Sequence, residues 1–276
     1  YDVIIASMFI TAERRQKVDF TEPYQKSAMT FVVPKDSTLP DFSPAAIAET
    51  VRAAHDPLTG KPMADIILDK AGQKGTGKWS VIEAQNMGVP ATAIEAAVAA
   101  RSRSSQKAER ELAEALFGAE PVSFPMADGP ALNKDLELAL FAAKIGAYAQ
   151  GFAVMAEASR EFNWSLPMPT IARIWRAGCI IRSQFLDEIT SAFTAAPDAA
   201  NLILTPAFAE MVKETLPSLR RVVSAATAAG LPVPALASAL TWFEGYRRAR
   251  GAANVIQAQR DFFGAHGFER VDGVDR

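Results

Sequence analysis

Residues 131–160 read ALNKDLELALFAAKIGAYAQGFAVMAEASR. Leu136, Leu140, Ala143 and Ala147 recur at i, i+4, i+7 and i+11, while Lys134, Glu137 and Lys144 fall elsewhere on the wheel. That period predicts a long amphipathic helix. The chain around it keeps the same texture from about residue 45 onward: rich in alanine, helical in period, with few alternating stretches. Further long helices are predicted at 180–195, 207–229 and 234–262, and a short one at 64–70. Breaks fall at Pro167, Pro169, Pro197, Pro206 and Gly230-Leu231-Pro232, and Pro217 is predicted to kink the helix that it interrupts. No fixed-period repeat and no low-complexity run is present. The fold class is therefore mainly all-α.

The first 44 residues differ in kind. Val3, Ile4 and Ile5, and the run at 30–33, read as short strands, and Thr11 as the cap of a helix through Lys17. Pro34, Asp36, Ser37, Pro40, Asp41 and Pro44 then crowd a stretch with little periodicity, which reads as a linker. The chain divides accordingly into a short α/β fragment, 1–44, and an all-helical domain, 45–276.

The composition narrows the function. Among 276 residues, 29 Lys and Arg face 31 Asp and Glu, a net charge of −2, so bulk nucleic-acid binding is not expected. A hydrophobic fraction of 49% excludes wholesale disorder. The single cysteine, Cys179, excludes an internal disulfide framework, and its apolar setting reads as packed core rather than as a nucleophile. Two histidines, His55 and His266, leave little for zinc. No uncharged apolar run of about 18 residues stands in the sequence, so no membrane span is expected. The chain begins at Tyr1 with no leader, which reads as a mature, trimmed or partial chain. Trp164, Trp175 and Trp242 read as core or interface anchors, and His55 as a surface residue.

Three stretches could carry chemistry. In AGQKGTGKWS, 71–80, glycines admit an anion to the backbone while Lys74, Thr76 and Lys78 add charge and donors. The string matches G-x-x-x-x-G-K, but Trp79 stands where a P-loop needs Ser or Thr and a helix rather than a strand precedes it, so a nucleotide loop is rejected. A phosphate or carboxylate site of another kind and a solvated glycine turn stay open. Arg260 and His266, six residues apart with Gly264 between them, could both face an anion, or be a surface arginine and a tail histidine. Arg101-Ser102-Arg103-Ser104-Ser105 is basic and hydroxyl-rich at a helix end, a solvated face by default. There is no G-x-G-x-x-G, G-x-S-x-G or H-E-x-x-H.

Five strings fall in one order and spacing: AGQKGTGKWS (71–80), YAQGF (148–152), IWRAGCIIRSQFL (174–186), GLPVP (230–234) and NVIQAQRDFFGAH (254–266). Over about 45–272 the chain resembles the C-terminal helical domain of decarboxylating 6-phosphogluconate dehydrogenases. That resemblance implies a cytoplasmic, homodimeric enzyme of the pentose phosphate pathway and gluconate use. It oxidises 6-phosphogluconate at C3 with NADP⁺ and loses CO₂ to give ribulose 5-phosphate. It implies Lys74, Thr76 and Arg101 as phosphate ligands. It also implies that Arg260, on phosphate, and His266, on a hydroxyl, come from the partner subunit's tail. The family's K-M-V-H-N-G-I-E-Y-type motif, with its general-base lysine and general-acid glutamate, is absent from these 276 residues, as is a dinucleotide-binding unit. No catalytic, cofactor-binding or metal residue is therefore assigned, and the chain alone is not expected to turn over. Gly251-Ala252 and Gly267 depart from the family's usual Leu-Pro and Thr or Ser.

DVIIASMFITAERRQKVDFTEPY, at 2–24, resembles instead a type-II periplasmic amino-acid-binding protein of ABC transporters. There Arg14 would pair with the ligand's α-carboxylate and Ser7 would assist, with Phe9 in place of a small polar residue. The stretch is a small part of such a fold, and Arg14 reads more simply as a solvated helix residue. Two partial domains from different compartments read as a gene-prediction or assembly chimera. The competing functional readings are an amino-acid receptor fragment and a ligand-free helical dimerisation domain.

Overall fold

The computed structural model describes residues 53–73, 75–119, 123–127, 129–178 and 185–273. Ten α-helices order these residues: α1 Met63–Ile66, α2 Thr76–Asn86, α3 Thr92–Ser105, α4 Lys107–Phe117, α5 Pro130–Glu161, α6 Met168–Gly178, α7 Phe185–Ala195, α8 Pro206–Ala228, α9 Pro234–Tyr246 and α10 Ala253–Gly264. A 3₁₀ turn, Leu202–Leu204, precedes α8, and no strand occurs among the described residues. The expected strands and helix of residues 1–33 lie outside the described residues.

Helix α5 is the axis, with α8 and α9 along it, α3 across its flank and α6 paired with α7. The predicted 131–160 helix is thus observed, but not its predicted buried stripe. Leu136 and Leu140 are 42% and 45% exposed, and the buried face is Ala139, Ala142, Ile145, Gly146, Ala149, Gln150 and Phe152. The helix is apolar nearly all round, so spacing could not choose the face. Packing chose the small residues, which let helices approach closely: a Cβ added at Gly146 would lie 3.7 Å from that of Ala239 on α9.

Helix α5 also bears on the expectation of no membrane span, which stands. An 18-residue window of α5 has mean hydropathy 1.4, long and apolar enough to cross a bilayer by composition alone. Here the helix is the centre of the core. Ile145, Ala149 and Phe152 pack with Leu186, Ile189 and Phe193 of α7, Leu202, and Phe208 of α8. Phe185 is the aromatic hub, with Phe141, Tyr148 and Phe208 at 5.5, 5.4 and 5.3 Å between ring centroids, all edge-on. The Lys144 ammonium sits 4.9 Å from the same ring, and its partial burial lowers its pKa from the ordinary lysine value.

Helix ends follow from local chemistry. Pro130, Pro206 and Pro234 occupy first turns, where a missing N–H costs nothing. Pro169 does the same in α6, so the expected break at 167–169 is a helix start. α8 runs through Pro217, whose side chain is exposed, so water can reach the backbone carbonyl that it leaves unpaired. The predicted 234–262 helix ends at Tyr246 and restarts at Ala253. Glu244 accepts from both Arg220 and Arg247 at that end, and Gly251 lies in the gap. The predicted 64–70 helix is only α1, because Ile67 turns extended (φ −73°, ψ 124°). Helix α3 follows Ala91 at its N-cap, a residue with no capping side chain. Its Ala93 N–H is capped instead by the buried Gln150 Oε1 of α5 at 3.0 Å.

Candidate functional site

The glycine-rich segment is tethered to α3 and α4 rather than loose. Arg110 donates to the Asp69 carboxylate at 2.9 Å and to its carbonyl at 2.6 Å, which lowers the Asp69 pKa. The Ala71 N–H donates to Ser104 Oγ at 3.0 Å, and Gln73 Nε2 donates to Ser102 Oγ. Arg101 then donates to the Gly72 carbonyl at 2.6 Å. Arg101, Ser102 and Ser104 therefore hold the segment from a face on which Arg101 and Ser102 stay exposed, as the solvated-face reading expected.

Gly75 ends the segment at φ 111°, a region that a side chain would strain, and α2 starts at Thr76. Gly77 permits close packing, since a Cβ there would stand 3.0 Å from Val98 Cγ2. The first turn of α2 has no side-chain cap and Thr76 is exposed, so N–H groups at this helix start are left for an anion, while Arg101 contacts the segment just before it at Gly72. A guanidinium carries five donors, and the bond to Gly72 uses one nitrogen. Such a cradle suits an anion. Lys74, Cys179, Ser7, Phe9 and Arg14 lie outside the described residues.

Arg260 and His266 come together elsewhere. They line one groove of the tail with Asn254, Gln257, Arg270 and Asp272, and Arg260 donates to Gln257 Oε1 at 3.0 Å. The structure thus brings Arg260 and His266 together in a groove that Thr76 and Arg101 do not line. Helix α10 buries none of its residues, and Phe262 and Phe263 are 87% and 77% exposed. Trp175 packs against the core and Phe152, whereas Trp164 is exposed and stacks on Phe162, so it is no core anchor of this chain. His55 is exposed, with Nδ1 2.8 Å from the Ala53 carbonyl oxygen.

The sequence reading missed Asp69, Gln73 and Arg110 as loop tethers. Only Arg110 left a signal, a cation one helix beyond the Arg101 cluster.

Residues 44–276 match the family model for the C-terminal domain of 6-phosphogluconate dehydrogenase. An NADP(+)-dependent, decarboxylating 6-phosphogluconate dehydrogenase of Bacillus subtilis is 48% identical over 217 residues, which is 79% of this chain and 46% of that protein. An NAD(+)-dependent, decarboxylating one of the same organism is 40% identical over 255 residues, 91% of this chain and 53% of that protein. The structure of Plasmodium falciparum 6-phosphogluconate dehydrogenase, solved apo, with NADP+ and with 6-phosphogluconate, superposes with a TM-score of 0.79 at 39% identity. It covers 83% of this chain and 50% of that one. The chain thus spans about half the length of the relatives it matches. With the family model matching residues 44–276, a range that contains all five motif strings, the chain belongs to the 6-phosphogluconate dehydrogenase C-terminal domain family.

Proposed function

We propose that this chain is the substrate-binding and dimerisation half of a decarboxylating 6-phosphogluconate dehydrogenase. Lys74, Thr76 and Arg101 hold the substrate phosphate. Arg260 and His266 of the partner subunit close the site, on phosphate and a hydroxyl respectively. The observation that carries this reading is the tail. Arg260 and His266 line a groove of the tail that Thr76 and Arg101 do not line, and the tail helix carries exposed Phe262 and Phe263 with none of its residues buried. A second copy supplies the missing half of each site and covers those two rings.

Chemically, this chain's residues bind and orient: cations and first-turn N–H groups neutralise a dianion and fix the sugar-acid chain. Among the described residues there is no strand-to-helix dinucleotide turn, and the roles proposed for this chain are binding and orientation of the substrate. Relatives named for NADP(+) and for NAD(+) both match this domain. A cytoplasmic setting and a place in the pentose phosphate route belong to the same proposal, as does the division at residues 44/45.

The test is a mixing experiment. Arg101→Ala and His266→Ala chains should each bind 6-phosphogluconate poorly. Their mixture should regain tight sites, because one mixed dimer contains one intact site. No recovery on mixing, with both variants folded, would overturn the shared site. An unchanged melting temperature of the parent chain in millimolar 6-phosphogluconate would favour a ligand-free dimerisation domain. NADP⁺ reduction by the pure chain, abolished by Lys74→Ala, would overturn the binding-only assignment.

A further inference from the structure

We infer that Gly264 and Asp261 are positioning residues for His266, an inference that rests on reading His266 as a substrate ligand. Helix α10 ends at Gly264, and Ala265 leaves it in the left-handed region at φ 51°, ψ 43°. A residue with a Cβ enters that region only when its surroundings hold it there. Asp261 does so twice. Its carbonyl accepts from the Ala265 N–H at 2.7 Å, and its Oδ1 accepts from the Gly267 N–H at 2.9 Å. The two bonds bracket His266 and fold the chain back over the helix end.

The imidazole then lies across the Cα of Gly264. A Cβ built there would stand 2.8 Å from His266 Nε2 and 3.1 Å from Cδ2, so the ring fills the space of a missing methyl group. In that seat His266 lines the same groove as Arg260. Any side chain at 264 moves the ring, and the backbone can stay where it is. This separates positioning from stability, because alanine is the better helix former and α10 buries nothing that the change would disturb.

The test uses the whole chain in a His55→Gln background, which leaves His266 as the single histidine reporter. The parent should show a nuclear Overhauser contact between the His266 ring and the Gly264 Hα. Gly264→Ala should shift the ring resonances and weaken 6-phosphogluconate by about tenfold or more. Its affinity for inorganic phosphate and its melting temperature should hold. Asp261→Asn keeps an acceptor oxygen and should retain the ring contact and affinity, whereas Asp261→Ala should lose both. Parent-like ring resonances and affinity in Gly264→Ala would overturn the inference. If the parent binds no 6-phosphogluconate, the substrate reading fails on its own. The ring contact then still decides the seat: its absence in the parent, or parent-like ring resonances in Gly264→Ala, overturns the inference.

Discussion

The Arg101 guanidinium and the Gly72 carbonyl oxygen meet at 2.6 Å, joining the end of α3 to the glycine-rich segment that precedes α2. One arginine thus both shapes the cradle and charges it. Arg101→Ala should weaken 6-phosphogluconate about 10- to 100-fold, the worth of a hydrogen bond to a charged group. Arg101→Lys should recover only part, because an ammonium lacks the planar fork. Isothermal calorimetry checks both, and hydrogen exchange at Gln73 should rise in each variant.

Phe262 and Phe263 sit on a helix that buries nothing within its own chain. Replacing either with Asp should leave monomer stability within about 0.5 kcal/mol. The same change should raise the dimer dissociation constant at least about tenfold, since it places a charge in an apolar contact. Sedimentation velocity across a dilution series measures this. A dimer of parental strength would mean that the tail face is not the interface.

Asp135 of α5 accepts from Arg221 at 2.9 Å and from Ser218 at 2.7 Å, both on α8. These donors, Arg221 first, hold its pKa at about 2, below the ordinary 3.8. Protonation is therefore harder in the folded chain than in the unfolded one. The stabilisation is complete above about pH 4 and fades as pH falls toward 2. Urea denaturation should show Asp135→Asn less stable than the parent at pH 7, with the two converging near pH 2.

Gln150 is fully buried; its Oε1 caps Ala93 while its Nε2 has no partner. Gln150→Leu leaves the Ala93 N–H unpaired, worth about 1–3 kcal/mol, but also removes an unpartnered buried amide. The expected net loss is about 1 kcal/mol by chemical denaturation, with faster exchange of the Ala93 amide. A neutral result would mean that α3 needs no cap from α5.

The class of the fold was legible because alanine-rich helical period and proline punctuation are local signals. Pro206 and Gly230-Leu231-Pro232 marked helix ends within a residue or two of where they lie. The face of α5 was not legible. Leu136 and Leu140 carry the stronger hydrophobic signal, yet close approach of α8 and α9 selects Ala139, Ala142, Gly146 and Ala149. The site was legible as residue types and motif strings, and its tethering was not. Asp69–Arg110 and Gly72–Arg101 are contacts between distant stretches, and nothing in either stretch names its partner.

The covering of α5 has a consequence for how the chain is made. The helices that cover α5 most extensively, α8 and α9, both follow it in sequence. At about 5–20 residues per second, a ribosome exposes α5 for on the order of several seconds before α8 is complete. In that interval the nascent chain displays a helix with the length and hydropathy of a bilayer span. Yield in a cell should therefore depend on holding factors that shield this helix during synthesis, and slower elongation between 162 and 205 should lower it.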